Sequence, residues 1–141
     1  MTQEAEVYAS PEYPAPLVDI KEQDLSLRLE TSSVGNASVV HCHGRIVYRY
    51  EAAALSYKVA ELLGRRRLVI LDLQHVTAID SAGLGELVAL HMWARGHGCT
   101  LRLSGVTTRV HDLLRLTNLT SLLEVFATEE DAAIATRSSV A

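Results

Sequence analysis

Hydrophobic and polar residues alternate along the chain with two distinct periods. From position 25 to position 29 every second residue is leucine, a period of two that is typical of a half-buried strand. Residues 37–43 predict a second strand, ended by Gly44, and the polar stretch 31–36 predicts the turn of a hairpin between the two strands. Across 50–64 the apolar residues instead recur at helical spacing, which predicts an amphipathic helix.

The stretch 68–73 is almost wholly apolar and rich in branched side chains, which predicts a strand buried on both faces of a sheet. Residues 74–79 are expected to form a short connection after this strand. A helix is then predicted from Ser81 to about Arg95, with one side formed by Leu84, Leu87, Val88 and His91.

The C-terminal third continues the alternation of strands and helices. Strands are predicted at 100–103 and 122–126, and helices after Thr107 or Thr108 and after Thr128, because threonine hydroxyls can cap a helix. The complete order is β-β-α-β-α-β-α-β-α. Helices between strands imply parallel pairing and the opening hairpin is antiparallel, so the sequence predicts an α/β fold with a mixed central β-sheet.

Length and composition narrow the class of protein. The 141 residues suffice for one domain, expected at 20–141, while residues 1–19 hold all three prolines and are expected to form a flexible N-terminal tail. The net charge of −4 gives no electrostatic footprint for direct nucleic-acid binding. The sequence shows no signal peptide and no apolar run of the roughly 20 residues that span a membrane, so a cytoplasmic protein is expected. Cys42 and Cys99 are expected to be buried free thiols.

Asp80 and Ser81 lie where the central strand gives way to the following helix. Both residue types are favoured at helix N-caps, because their oxygens accept backbone N–H groups that have no partner within the first turn. Gly83 and Gly85 follow at once, although each costs about 1 kcal/mol of helix propensity relative to alanine. The two glycines therefore predict a close approach to the backbone by a neighbouring strand or by a partner protein.

The motifs argue against enzyme, nucleotide and metal chemistry. The Gly-x-Ser-x-Gly elbow of a hydrolase is absent around Ser81, and Gly83-Leu84-Gly85 lacks both the third glycine of a dinucleotide fingerprint and the lysine of a P-loop. His41 and His43 would share one side of a strand, but two ligands without a third predict no metal site. The sequence thus predicts no catalytic residue, and the histidines at 75, 91, 97 and 111 are expected at the surface or at an interface.

The hexapeptide Asp-Ser-Ala-Gly-Leu-Gly at 80–85 follows Leu-Asp-Leu at 71–73. This pair of motifs closely resembles the signature of STAS domains, in particular those of bacterial anti-sigma factor antagonists, also called anti-anti-sigma factors. The similarity in the order and spacing of elements covers roughly residues 25–136. It implies the STAS-like fold, a mixed central β-sheet with helices packed mainly on one side.

The resemblance also implies a function. Ser81 corresponds to the residue that a partner kinase phosphorylates. The implied partners are an anti-sigma factor that is also a serine kinase, and a phosphatase that resets the phosphorylated form. By such partner switching the chain would regulate sigma-factor-dependent transcription without being an enzyme or holding a cofactor, since the ATP belongs to the kinase. The implied partner-binding residues are Asp80, Ser81, Ala82, Gly83, Leu84 and Gly85.

The chain departs from the family pattern in two places. Many members carry acidic residues near the phosphoserine where this chain has Arg45 and Val47, and Ala82 replaces a second serine. A phosphate on Ser81 would be tolerated, because the dipole of a helix favours negative charge at its N-terminus. The alternative is a non-switched interaction, scaffold or small-ligand-binding module of the same fold, in which Ser81 is only a helix cap.

Overall fold

The computed structural model describes residues 26–48 and 50–136 as nine elements of secondary structure. Their order matches the order that the sequence predicts. The predicted N-terminal tail, residues 1–19, lies outside the described residues. The strands are β1 (Leu27–Val34), β2 (Ala37–Ile46), β3 (Leu68–Ile79), β4 (Thr100–Ser104) and β5 (Val125–Phe126), and the helices are α1 (Tyr50–Leu63), α2 (Ser81–Gly96), α3 (Thr108–Leu116) and α4 (Glu129–Ile134).

The five strands form one mixed sheet in which the spatial order follows the chain order, β1 to β5. β1 and β2 pair antiparallel, and each later strand pairs parallel to the one before it, which the helical connections between these strands make possible. The predicted turn at 31–36 is too long, because residues 31–34 belong to β1 and pair with 37–40. Only Gly35 and Asn36 form the turn, since the exposed Thr31, Ser32 and Ser33 suit an edge strand despite their polarity.

Strand β2 passes through Gly44 and ends at Ile46, so the prediction that Gly44 ends the strand is wrong. Gly44 has a backbone φ of 125°, which side chains rarely adopt. A Cβ atom at this position would lie 2.1 Å from the carbonyl oxygen of Ser26. Glycine is needed here because the start of β1 runs close beside β2, and it lets the ladder with β3 continue after a register shift.

Strand β3 is twelve residues long, and the predicted connection at 74–79 is in fact its second half. β4 pairs only with the first half, from Leu68 to Asp72, whereas β2 pairs with both halves. Val76 is buried between the exposed His75 and Thr77, an alternation that suits a half-buried strand. Together with β1, which pairs with β2 as far as Gly44, β2 and β3 thus project beyond β4 and β5.

Helices α1, α2 and α3 cover one face of the sheet, where leucines and valines form the main apolar cluster. The short helix α4 lies on the opposite face, so the prediction of helices mainly on one side is confirmed. There the buried Ala132 packs against Ala37, Val39 and Ile70. Large, fully buried side chains of the main cluster include Leu55, Leu71, Leu87, Leu101 and Leu114.

Three buried groups test the predictions about polar and sulfur side chains. Cys42 and Cys99 are buried free thiols, as predicted, and burial together with the charge of Asp72 raises the pKa of Cys42 to about 12. The prediction that His91 lies at the surface or at an interface is wrong, because it faces the interior one turn after Leu87. Burial and the nearby charge of Arg95 lower the pKa of His91, which favours the neutral ring.

Candidate functional site

The first turn of α2 begins where β2 and β3 end side by side. Ile46 and Ile79 are the last paired residues of these strands, and the Asp80 N–H donates to the carbonyl of Ile46 at 3.4 Å. The long β2–β3 ladder therefore places Asp80 against the end of β2. The projection of these two strands decides the location of the predicted site.

Asp80 caps α2 with both oxygens of its carboxylate engaged. Its backbone is extended, with φ −103°, as is usual for an N-cap. Oδ1 accepts a hydrogen bond of 2.9 Å from the N–H of Gly83, and Oδ2 accepts one of 2.9 Å from the N–H of Tyr48. The bond from Tyr48 is the main reason that the pKa of Asp80 lies below its usual value, with the bond from Gly83 adding to it. The predicted capping role of Asp80 is confirmed.

The two glycines of the turn have different surroundings. A Cβ atom on Gly83 would lie 2.2 Å from the carbonyl oxygen of Ile46, so the helix can pack against β2 only if this residue is glycine. A Cβ atom on Gly85 would meet no atom of the described residues within 4 Å, and Gly85 is exposed. The predicted close approach by a neighbouring strand therefore applies to Gly83, and Gly85 faces open space.

Ser81 is the first residue of α2 and is exposed to solvent. Because Asp80 is the N-cap, the alternative in which Ser81 caps the helix is wrong on that point. Within residues 26–48 and 50–136, no group hydrogen-bonds to the Ser81 hydroxyl, so no histidine or carboxylate is placed to act as its base. The hydroxyl is open to an external reagent.

One side of α2 carries a row of exposed small or apolar residues that starts at Ser81. We call this row the outer strip; it comprises Ser81, Gly85, Ala89 and Met92, at helical spacings of four, four and three residues. Met92 is 57% exposed. Because the outer strip is uncharged, it is suited to bind an apolar surface of another protein.

The structure separates the predicted partner-binding residues into two groups. Ser81 and Gly85 are exposed and Ala82 is partly exposed, so these three can contact another molecule. Gly83 and Leu84 are buried, and Asp80 uses both of its oxygens on backbone N–H groups. The buried group can only shape the surface that the exposed group presents.

Sequence reasoning missed four contributors to this region. Ile46 and Tyr48 act through their backbone groups, which leave no trace in side-chain patterns. Ala89 and Met92 extend the exposed side of the helix, and counting helical spacing forward from Ser81 would have found them. The sequence pattern described above for α2 concerns only its apolar side, from Leu84 to His91.

The residues where the chain departs from the family pattern also lie near this turn. Arg45 is exposed and pairs with Ala78, one register position before the pair of Ile46 and Ile79. Val47 is partly buried, and its carbonyl accepts the N–H of Ala52 at the start of α1. The end of β2 that precedes this turn therefore carries an exposed positive side chain at position 45.

In the part of the chain that the structure describes, no helix combines the length and apolarity needed to cross a membrane.

The chain matches a known family in its sequence and several solved structures in its fold. The family model described as Mlab, STAS domain matches residues 29–124. The fold is similar to an anti-sigma factor antagonist from Mycobacterium paratuberculosis, with 23% identity, 80% of this chain and 96% of that chain covered, and a TM-score of 0.70.

Two further solved structures share the fold. One is the Bacillus cell fate determinant SpoIIAA in its phosphorylated form, with 16% identity, 76% of this chain and 96% of that chain covered, and a TM-score of 0.58. The other is a sulfate transporter family protein from Wolinella succinogenes, with 20% identity, 69% of this chain and 81% of that chain covered, and a TM-score of 0.57. The predicted STAS-like fold is confirmed.

Proposed function

The chain belongs to the STAS domain family, and on that premise we propose that it is an anti-sigma factor antagonist switched by phosphorylation of Ser81. The observation that carries the proposal is the position of Ser81. Ser81 is exposed as the first residue of α2, and its hydroxyl lies at the end of the outer strip, next to the uncharged residues that complete the strip. A modification at this point changes the binding surface directly.

Phosphorylation of Ser81 would weaken binding of the partner and leave the fold of this chain unchanged. The phosphate adds about −1.5 to −2 charges at neutral pH. A partner that covers the outer strip would have to remove water from this charge without supplying a counter-ion, which costs free energy. The unmodified chain therefore binds the partner and the phosphorylated chain releases it.

The fold itself should tolerate the phosphate. α2 is a helix of sixteen residues, and Ser81 lies at its positive end, where added negative charge is favourable by about 0.3–1 kcal/mol. Asp80 already has both oxygens occupied by N–H groups of Gly83 and Tyr48, so its cap does not depend on the Ser81 hydroxyl. The switch accordingly requires no large conformational change.

The family resemblance supplies the proposed partners. The unmodified chain would bind an anti-sigma factor that is also a serine kinase, and this would free the sigma factor for transcription. The kinase would use its own ATP to phosphorylate Ser81, and a phosphatase would restore the binding form. In this cycle the chain is a binding protein of the cytoplasm and not an enzyme, and it needs no cofactor.

A pull-down from native lysate tests the proposal. The baits are the wild-type chain, Ser81→Glu and Ser33→Glu, where Ser33 is an exposed serine of β1 that controls for added charge. We expect the wild type and Ser33→Glu to retain an ATP-binding serine kinase, and Ser81→Glu to bind it about 30-fold more weakly or worse. Intact mass after incubation with that kinase and ATP should show one phosphate on the wild type and none on Ser81→Ala.

Equal retention of the kinase by all three folded baits would contradict the proposal. Circular dichroism confirms that each bait is folded, so that loss of binding cannot be attributed to unfolding. A phosphate located at a residue other than Ser81 would also contradict it.

A non-switched interaction module is the second candidate. The observation that favours it is the exposed Arg45, together with Val47, where many antagonists have acidic residues. In that case Ser81→Glu would keep the same partners as the wild type, and no kinase would modify the chain. The same three baits therefore distinguish the two functions.

A further inference from the structure

The sheet face that carries α4 is apolar at one end and polar at the other. Ala37, Val39 and Ile70 pack beneath α4. Two residues further along the same strands, on the same face, come His41 on β2 and Asp72 on β3, which are register partners. Glu129, the first residue of α4, lies over this pair.

Three potential ligand atoms converge at this point. His41 Nδ1 lies 2.8 Å from Asp72 Oδ2 and 3.7 Å from Glu129 Oε2, and the three atoms all lie within 4.8 Å of one another. The side chain of Asp72 is 5% exposed, whereas those of His41 and Glu129 are 23% exposed. The Asp72 end of the cluster is thus buried in the sheet, and the side formed by His41 and Glu129 is open to solvent.

We propose that His41, Asp72 and Glu129 bind a divalent transition-metal ion of the zinc class. Imidazole nitrogen and carboxylate oxygen bind zinc at about 2.0–2.2 Å, which sets neighbouring ligand atoms roughly 3–4 Å apart. The separations of 2.8 and 3.7 Å bracket this spacing, and the third pair of atoms, Asp72 and Glu129, lies within 4.8 Å and has to close to it. Three protein ligands leave a coordination position for water, which the exposed side of the cluster admits.

The charges of the cluster favour a divalent cation. Asp72 and Glu129 bring two negative charges within 4.8 Å of each other, and a single proton on His41 would balance only one of them. Burial alone would raise the pKa of Asp72, but hydrogen bonds from His41 and from Gln74 outweigh it and hold the pKa below its ordinary value. The same hydrogen bonds fix the position of this buried carboxylate within the cluster.

Two neighbouring residues hold the proposed ligands in position. Gln74 donates to Asp72 from its backbone N–H, at 3.1 Å, and from its side-chain amide, at 3.3 Å. Ser32 Oγ lies 2.9 Å from His41 Nε2. When Nδ1 binds the metal, the imidazole proton resides on Nε2 and is donated to Ser32, which is the outer-shell arrangement common for metal-bound histidine.

The nearby pair of His43 and His75 forms a separate arrangement. Their rings stack with centroids 4.9 Å apart, and His43 Nε2 lies 3.6 Å from Glu30 Oε1. The two strand histidines at 41 and 43 thus have different partners. The two ligands that complete the site around His41 are supplied by Asp72 on β3 and Glu129 on α4.

Titration of the metal-stripped full chain with Zn²⁺ by calorimetry tests the proposal, with Co²⁺ absorption spectra as a second readout. We expect one saturable site that is lost in His41→Gln and Glu129→Gln. Glu130→Gln and His111→Gln remove an adjacent acid and an exposed histidine, and both should bind like the wild type. Ser32→Ala should bind about 10–100-fold more weakly, because the outer-shell partner of His41 is removed.

Absence of saturable binding would overturn the proposal. So would binding that survives Glu129→Gln and is lost in His43→Gln, since the ion would then lie on the stacked pair. If His41→Gln does not fold by circular dichroism, the matched pair Glu129→Gln and Glu130→Gln decides the outcome. Zn²⁺ should also raise the melting temperature of the wild type and of Glu130→Gln, but not that of Glu129→Gln.

Discussion

On the inner side of the first turn of α2, Asp80 and Gly83 contact the end of β2, whereas on the outer side Ser81 and Gly85 face solvent. Every polar atom of the Asp80 carboxylate is hydrogen-bonded, and no space remains at Gly83 for a single carbon atom. The outer residues carry no such constraint within the described part of the chain. The same turn of helix therefore packs against the sheet on one side and leaves a surface for binding on the other.

The difference shows how a binding surface can be changed chemically without refolding. A methyl group added at Gly85 meets no atom of the described residues, and a negative group added to Ser81 is placed at the favourable end of the helix dipole. A group added on the inner side must displace the strand. The following three substitutions measure this contrast, in order of decreasing effect on the free energy of unfolding.

Gly83→Ala should have the largest effect. The new methyl group would lie 2.2 Å from the Ile46 carbonyl oxygen, which forces the helix away from β2. We expect the free energy of unfolding to fall by about 2–3 kcal/mol, even though alanine favours the helix. Urea denaturation followed by circular dichroism measures the change. A fully stable Gly83→Ala variant would mean that the turn is not packed as tightly as this contact implies.

Asp80→Asn should have a smaller, pH-dependent effect. Asparagine is a good N-cap but has only one acceptor oxygen, so it can serve Gly83 or Tyr48 but not both. We expect a loss of about 1–2 kcal/mol at pH 7.

The pH dependence follows from the lowered pKa of Asp80. A lowered pKa stabilises the folded state above the ordinary carboxyl pKa of 3.8, and this contribution disappears as the pH falls through the lowered value. Unfolding curves of wild type and Asp80→Asn should therefore differ at pH 7 and converge in acid. A difference that is the same at every pH would show that the charge of Asp80 plays no part.

Gly85→Ala should have the smallest effect, and of opposite sign. The methyl group meets no described atom, so the variant gains helix propensity and its free energy of unfolding should rise by about 0.5–1 kcal/mol. The same denaturation assay measures it, with Gly83→Ala as the matched partner. Destabilisation by Gly85→Ala would show that Gly85, like Gly83, is packed against other protein atoms and does not face solvent.

Much of the fold could be predicted from the sequence, because local periodicity records which side of each element is buried. The apolar stretch that became the first half of β3 and the caps at Thr107 and Thr128 are examples. Asp80 and Ser81 were also located correctly as the start of a helix. Each of these features depends on residues close together in the chain.

Features that depend on distant residues were predicted poorly. The second half of β3 is a strand because β2 continues alongside it beyond Gly44, and its own residues are too polar to indicate this. His91 is buried although histidine is commonly exposed, because its position on α2 faces the core. The local pattern shows that a helix exists but not how a single polar side chain is packed within it.

The sequence by itself determined the order of the elements, the mixed sheet and the serine at the start of α2. Only the tertiary structure decided that Asp80 rather than Ser81 is the cap, and that Gly83 faces β2 while Gly85 faces solvent. It also brought Glu129 to His41 and Asp72 from more than fifty residues away. The physical reason is that periodicity and propensity act over one or two turns of chain, whereas packing, capping partners and ligand clusters arise where strands and helices that are remote in sequence meet.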